Sequence, residues 1–382
     1  MRNFFFKVGV WAGLFFNATS VMAEEWAFKP YGFIHANVTG ASRGLDSFGN
    51  TNLSATTAVT PSSVANSDRA RNSFQVAQSR LGTFIEYGRA VGHFEIDFID
   101  FTKASPTTQA LPRLRIANID YKIDENQTLS LGQDWDLFAA PAKPFTYNIV
   151  GLYFHTGNVG FMKHQIRYQN RVSPDWTLAT AVGLVTKNST ASDSEIEMTG
   201  LPTVSALVSH RLRENLEIGL TGMGGAVRPA AYPADLAGIY GVNSFLKWES
   251  ESGLKLREAF YYGVNLASAG TLSLANASAS GSHREIGGYI TALLPLSESF
   301  SIRGGIGASQ ILEDDGSPLD LVVGNNIFSN WKVEAALTYQ PQKQLEFYIQ
   351  PTFMKTIYVQ NATNHKDALS AVALQAGAVF QF

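Results

Sequence analysis

Residues 345–353, LEFYIQPTF, alternate between apolar and polar side chains, and this alternation decides the fold. Side chains of a β-strand point to opposite faces with a period of two residues, so the stretch predicts a strand with two unlike faces. One face carries Leu345, Phe347, Ile349 and Phe353, and the other carries Glu346, Tyr348, Gln350 and Thr352. The segment therefore predicts a sheet whose two sides meet different solvents.

The same alternation recurs in segments of about ten residues from Lys29 to Phe382. Short turns alternate along the chain with long links rich in Gly, Ser, Asn, Asp or Pro. The turns are predicted at 87–92, 124–127, 173–175, 213–215, 249–253, 297–299 and 341–343, and the long links at 40–72, 102–111, 136–160, 186–200, 227–237, 266–282, 310–325 and 356–368. This count predicts an all-β, antiparallel, up-and-down transmembrane barrel of about sixteen strands, with short periplasmic turns and long extracellular loops.

Composition excludes several other classes of protein. No apolar run after residue 30 approaches the length of a spanning helix, which argues against a helical membrane protein. Cysteine is absent, which excludes disulfide frameworks and thiolate metal sites. The formal net charge of −3 gives no indication of a nucleic-acid partner.

The first residues have the pattern of a secretory leader. Arg2 and Lys7 form the positive region, residues 8–16 the short apolar core, and Val21-Met22-Ala23 the cleavage site. We therefore expect a signal peptide at 1–23 and a single barrel domain at 24–382, located in the bacterial outer membrane.

Charged residues in the first half share one strand face. This face carries Arg80, Glu86, Glu95, Asp97, Arg113, Arg115, Arg167 and Arg171, and the opposite face carries Leu81, Ile85, Phe94, Ile96, Leu114, Ile116, Ile166 and Tyr168. A charge turned toward lipid costs about 2–4 kcal/mol near the bilayer midplane. The shared face therefore predicts a water-filled interior.

Four short motifs in order carry a family resemblance. They are Arg80-Leu81-Gly82, residues 94–98 with Glu95 and Asp97, Arg113-Leu114-Arg115, and Leu131-Gly132-Gln133-Asp134-Trp135. Their order and spacing, within a stretch from about Tyr31 to Arg171, resemble the DcaP-like porins and, more widely, the general porins of Gram-negative bacteria. The resemblance implies a trimeric, passive channel.

A pore constriction is the candidate site. The link from Asp136 to Gly160 resembles by position the third porin loop, which folds into the lumen; an ordinary external loop is the alternative. We expect Arg80, Arg113, Arg115 and Arg167 to form a basic wall facing Glu95 and Asp97, with a mild preference for anions. The alternative is that these side chains pair to brace the barrel wall. The predicted lumen residues are Arg80, Glu95, Asp97, Arg113, Arg115, Arg167, Asp136, Lys143 and Tyr147.

The predicted function is passive diffusion of ions and small polar or anionic solutes through a homotrimer embedded in outer-membrane lipid. A substrate-specific channel and a non-conducting structural or adhesive barrel remain alternatives. No enzymatic activity, cofactor or metal is expected, because no Ser and His share parity on adjacent strands and the seven His show no ligand spacing. The acidic run at 313–316 is expected to be a solvated loop.

Overall fold

The computed structural model describes residues 25–45, 58–59, 62, 66–99, 112–149, 152–184, 201–227, 236–275, 282–312, 327–360 and 365–382. The predicted leader at 1–23 and the acidic run at 313–316 lie outside these residues. Within them, no helix is both long and apolar enough to cross a membrane. The strands are β1 Ala27–Ala41, β2 Arg71–Gln75, β3 Arg80–Tyr87, β4 Ala90–Asp97, β5 Arg113–Lys122, β6 Gln127–Trp135, β7 Met162–Arg171, β8 Trp176–Gly183, β9 Thr203–Arg213, β10 Leu216–Val227, β11 Ala237–Glu249, β12 Lys255–Val264, β13 Arg284–Pro295, β14 Phe300–Leu312, β15 Ile327–Gln342, β16 Leu345–Gln360 and β17 His365–Gln381, with one 3-10 helix at Leu266–Ala269.

The strands form one closed antiparallel barrel. Each strand pairs with its neighbour in the chain, and β17 returns to pair with β1, from Phe33 opposite Gln381 to Ala41 opposite Ala373. The short strands β2 and β3 lie end to end along β1, so the seventeen strands occupy sixteen positions and confirm the predicted number. The pairing of β17 with β1 closes the sheet, as a barrel in lipid requires.

The interruption between β2 and β3 is satisfied locally. Ser79 replaces the missing ladder partner, because its hydroxyl accepts the backbone N–H of His35 at 3.0 Å and donates to the carbonyl of Val76 at 2.7 Å. The backbone N–H of Ser79 also donates to the Val76 carbonyl, at 3.0 Å. Backbone groups that lose a strand partner thus keep hydrogen bonds, which hydrocarbon surroundings demand.

The two faces follow the alternation predicted from the sequence. On β16 the side chains of Phe347, Ile349 and Phe353 point outward and are exposed, while Gln350 and Thr352 point inward and are buried. The apolar exterior suits acyl chains, and the polar side chains line the interior. Tyr31, near the start of β1, points inward and bonds to His93 and Glu95.

The prediction that Ile116 faces lipid is wrong. The ladder between β4 and β5 shifts register between Glu95 and Ile96, so that Ile96 opposes Leu114 while Glu95 opposes Ile116. The extra residue is Arg115, and the bulge turns Ile116 inward, where it is buried. Gln133 Nε2 donates to the carbonyls of Leu114 and Arg115, at 3.1 and 2.8 Å. This side chain therefore satisfies the carbonyls that the bulge displaces.

The predicted long link at 356–368 is also too long. Strand β16 continues through Gln360 and β17 begins at His365. Alternation explains the extension, because Met354, Thr356 and Tyr358 all continue the buried, inward face. The other predicted turns and long links agree with the strand bounds to within a few residues.

Candidate functional site

Charged side chains on β4 and β5 form a tight cluster on the inner wall. Arg113 binds Asp97 through two hydrogen bonds, from Nε at 2.9 Å and from Nη2 at 2.6 Å. Arg115 donates from Nε to Glu95 at 2.6 Å and from Nη1 to Asp97 at 3.3 Å. Paired, charge-assisted bonds of this kind hold both guanidinium groups in fixed positions.

Arg80 lies beside this cluster on β3, opposite Asp97 in the ladder. Its guanidinium carbon lies 5.5 Å from the ring centroid of Phe33, and its Nε has no hydrogen-bond partner among the described residues. Arg80 makes no ion pair within the described part of the chain. With two carboxylates already shared by Arg113 and Arg115, its positive charge is in excess.

Three aromatic rings lie next to the cluster, toward the turn end of the barrel. The rings of Phe84 and His93 stack with centroids 4.3 Å apart, and those of Tyr31 and Phe84 at 5.4 Å. The Tyr31 hydroxyl lies 2.7 Å from His93 Nε2 and donates to Glu95 at 3.0 Å. The aromatic group thus connects β1, β3 and β4 and holds the Glu95 carboxylate.

Arg167 belongs to the neighbouring part of the same wall. Its Nη1 lies 3.4 Å from an oxygen of Asp134, and its Nη2 donates to the carbonyl oxygen of Trp135. The cation therefore sits at the end of β6, where the chain leaves the wall to form the third loop.

Loop 3, which joins β6 to β7 at residues 136–161, begins with a buried ion pair. Asp136 lies 2.8 Å from Lys163 Nζ and also accepts hydrogen bonds from the Ser205 hydroxyl and the Phe138 N–H. Burial by itself would raise the pKa of Asp136, but the Lys163 ammonium and these donors bring the pKa below its ordinary value. Asp136 thus fixes the root of the loop to the wall and makes no contact with the Arg113–Arg115 cluster.

Beyond this root, loop 3 crosses to the opposite wall, as the sequence predicts. The carbonyl of Phe138 accepts hydrogen bonds from Thr221 on β10 and Asn243 on β11, at 3.0 and 3.1 Å. The backbone N–H of Phe145 then donates to the hydroxyl of Thr291 on β13 at 3.1 Å. These partners are inward side chains of the barrel, so the loop lies inside the lumen.

Tyr147 fixes the far end of the described loop. Its ring stacks on Tyr348 with centroids 3.7 Å apart and an angle of 5°, and its hydroxyl donates to Glu346 at 2.5 Å. The guanidinium of Arg303 lies 4.3 Å from the centroid on the ring of Tyr147. Burial raises the pKa of Tyr147 well above its ordinary value, so the hydroxyl stays protonated and donates.

Lys143 extends from loop 3 back toward the basic wall. Its Nζ lies 4.0 Å from the ring centroid of Trp135, is buried, and has no hydrogen-bond partner among the described residues. Arg115 lies over the same indole, with its guanidinium carbon 5.8 Å from the centroid. Trp135 therefore contacts two cations, one on the loop and one on the wall. At this residue loop 3 comes close to the basic wall.

Loop 6, which joins β12 to β13 at residues 265–283, also folds inward and supports loop 3. The carbonyls of Thr271 and Leu272 accept the backbone N–H groups of Gly160 at 2.7 Å and His155 at 3.3 Å. Glu285 holds the next part of loop 6, because one carboxylate oxygen accepts the N–H groups of residues 274 and 275 at 2.7 and 2.9 Å. The sequence identified this segment only as a long link.

The structure brings together five of the predicted residues: Arg80, Glu95, Asp97, Arg113 and Arg115. Glu95 and Asp97 lie on the same wall as the arginines and pair directly with Arg113 and Arg115, which is the alternative in which these side chains brace the barrel wall. Arg167 and Lys143 approach the cluster through Asp134 and Trp135. Tyr147 is at the opposite wall, and Asp136 is buried at the loop root.

Solved structures of outer-membrane proteins match this barrel over almost its whole length. The DcaP outer-membrane channel of Acinetobacter baumannii matches with a TM-score of 0.72 at 15% identity, over 94% of this chain and 97% of that one. An anion-selective porin from Comamonas acidovorans matches with a TM-score of 0.59 at 10% identity, over 94% of this chain and 100% of that one. A trimer form of OmpT, an outer-membrane protein of Vibrio cholerae, matches with a TM-score of 0.56 at 10% identity, over 94% of this chain and 100% of that one.

The chain has the porin fold. No protein-family model and no curated protein sequence matches it, so the likeness lies in the architecture. Its closed barrel and apolar exterior are those of a bacterial outer-membrane protein. None of the three similar structures is described as an enzyme. Within this porin barrel, loop 3 contacts inward side chains of strands from β9 to β16.

Proposed function

We propose that the chain forms a water-filled channel for passive diffusion of ions and small hydrophilic solutes across the outer membrane, with a mild preference for anions. The porin fold supports the channel, and the charges around Trp135 support the preference. The residues proposed to control passage are those on the β3–β5 wall and Lys143, which faces them from loop 3.

The excess of cations around Trp135 carries the proposal. Five cations, Arg80, Arg113, Arg115, Lys143 and Arg167, surround three carboxylates, Glu95, Asp97 and Asp134, which gives a formal charge of +2. Walls of low dielectric constant focus the field of such a cluster and raise the local concentration of counter-ions. A chloride or carboxylate would therefore enter this region more easily than a cation of equal size.

A homotrimer is part of the proposal. OmpT of Vibrio cholerae has been described in a trimer form, and its barrel covers this chain almost completely. Chemical cross-linking and mass measurement in detergent test this assembly directly. A monomeric mass in several detergents would contradict it.

Conductance in planar bilayers tests the channel, and the reversal potential in a KCl gradient tests the preference. We expect open-channel currents and a reversal potential on the anion side. Changing Arg113 and Arg115 together to Glu would raise the number of carboxylates around Trp135 from three to five and shift the reversal potential toward cations. Arg89→Glu in the exposed β3–β4 turn is the matched control. An equal shift of the reversal potential in this variant would show that the cluster does not determine ion selectivity.

A non-conducting barrel is the second candidate, and the position of loop 3 favours it. The buried Lys143 Nζ above Trp135 connects the loop to the basic wall, and loop 6 supports the loop from the other side. Purified protein that inserts into bilayers without producing current steps would support this second candidate. Saturable block of current by one solute class would instead indicate a substrate-specific channel.

A further inference from the structure

A pocket of about 140 Å³ lies between the end of loop 3 and the inner faces of β1, β14, β16 and β17. It is near the turn end of the barrel, because Arg303, Glu346 and Val379 all lie within a few residues of a turn or strand terminus there. None of the charged residues of the β4–β5 cluster lines it. The pocket therefore adjoins the proposed constriction at Phe33, which also contacts Arg80, but its own charged pair is a different one.

Opposite charges stand side by side in the pocket wall. Arg303 Nη2 lies 2.9 Å from Glu346 Oε2, and both side chains remain partly exposed, at 19% and 13%. Tyr147 holds this pair rigidly, since its ring lies under the guanidinium and its hydroxyl donates to Glu346. The pair has no net charge but presents a fixed dipole to the cavity.

Two polar atoms of the lining side chains have no hydrogen-bond partner among the described residues. They are Arg303 Nε and His35 Nδ1, and both are buried. His35 is held through its other ring nitrogen, 2.7 Å from the Tyr348 hydroxyl. The exposed part of the Arg303 guanidinium, at 19% for the side chain, can donate charge-assisted hydrogen bonds to a solute that offers an acceptor.

The rest of the lining combines three apolar side chains with the polar side chains of Thr146 and Gln381. Phe33, Ile149 and Val379 border the pocket opposite the charged pair. An apolar wall with a few fixed polar groups is the usual composition of a small-molecule site. The volume limits the occupant to a molecule with a short side chain.

We propose that this pocket binds small zwitterions, namely free amino acids with short aliphatic side chains. The carboxylate binds Arg303, the ammonium binds Glu346, and the aliphatic chain packs against Phe33, Ile149 and Val379. A zwitterion places its two charges antiparallel to the protein's own ion pair, so each charge meets an opposite one. The inference rests on the proposed function only in that solutes reach the pocket through the lumen.

Single-channel recording with three matched probes tests the site. L-Norvaline carries both charges, pentanoate carries only the carboxylate, and pentylamine carries only the ammonium, all on similar carbon chains. We expect saturable current block by norvaline and block at least tenfold weaker by either single-charge probe. Equal block by all three, or none by norvaline, would overturn the proposal.

Variants locate the block. Val379→Phe fills the pocket without altering a charge, and Arg303→Gln with Glu346→Gln removes both charges together; each is expected to weaken norvaline block at least tenfold. Val372→Phe, on the lipid-facing side of the same strand, is the matched control and should leave block unchanged. Block that persists in both pocket variants would place the site elsewhere.

A measurement without conduction separates this inference from the channel itself. Saturation-transfer NMR of norvaline with the detergent-solubilised protein reports binding directly. Binding without current steps in KCl would contradict the proposed channel and leave the pocket in place. Current steps without norvaline binding would contradict the pocket alone.

Discussion

The ammonium of Lys143 lies 4.0 Å from the indole centroid of Trp135, and Arg115 lies over the same ring from the barrel wall. A cation over an aromatic face is stabilised by the ring quadrupole, but the ring offers no full negative charge. Lys143 therefore occupies a position in which its charge is weakly compensated. Four groups face it: Trp135, the guanidinium of Arg115, and the carboxylates of Asp134 and Asp136.

The charge of Lys143 is expected to titrate near neutral pH. Burial, together with Arg115, lowers its pKa to about 7, while Asp134 and Asp136 oppose this shift. Lys143 would be about nine-tenths charged at pH 6 and about one-tenth charged at pH 8. Anion preference should therefore fall as pH rises across this range, measured as the reversal potential in a KCl gradient.

Lys143→Met should remove this pH dependence and give the high-pH selectivity throughout. Lys343→Met, in the exposed β15–β16 turn, is the matched control. A pH dependence that survives in Lys143→Met would assign the titration to another group.

Arg80→Gln tests the excess charge at the wall. Because Arg80 makes no ion pair among the described residues, its removal leaves no carboxylate newly unpaired and lowers the local charge by one. We expect weaker anion preference with little change in thermal stability. Arg113→Gln is the comparison, since it leaves Asp97 with one cation fewer and should lower both selectivity and stability.

The buried pair at the root of loop 3 should dominate the stability of that loop. Asp136→Asn leaves the Lys163 ammonium without a counter-charge, and breaking one partner of a buried pair costs about 3–5 kcal/mol. Asp136→Asn combined with Lys163→Met should recover much of the loss. Thermal unfolding followed by heat-modified gel mobility measures both, and a double variant as unstable as the single one would contradict this account.

Gln133→Met tests the support of the bulge. The substitution keeps the length of the side chain but removes the donor to the carbonyls of Leu114 and Arg115. Unsatisfied polar groups cost about 1–3 kcal/mol, so the unfolding temperature should fall. Leu131→Met, two residues away on the same outward face, is the control and should change the unfolding temperature little.

Strand number and the two faces follow from the sequence because they depend on local alternation and link length, whereas the inward path of loop 3 was expected only from its resemblance in position to the third porin loop. Ile116 could not be placed, since a single bulged residue reverses the parity of everything after it. The pairing of Glu95 with Arg115 depends on the same shift between neighbouring strands, which no single strand encodes. Trp135 was recognised only as part of a motif, because its inward position depends on where β6 ends.

The parts missed in the candidate site are those built from distant segments. His35 and Tyr348 lie 313 positions apart in the chain and meet only because the barrel closes. The inward face of β1 carries His35, Asn37 and Thr39, and their regular alternation could have marked them as lumen residues. The support of loop 3 by loop 6 has no sequence signal, since it uses backbone groups of Thr271 and Leu272.

Those two carbonyls join loop 6 to the part of loop 3 that lies inside the lumen. Loop 6 begins and ends at the rim of the barrel, yet its middle is hydrogen-bonded to the segment that shapes the passage. A change in this stretch of loop 6 is therefore expected to act on the lumen as well as on the loop itself.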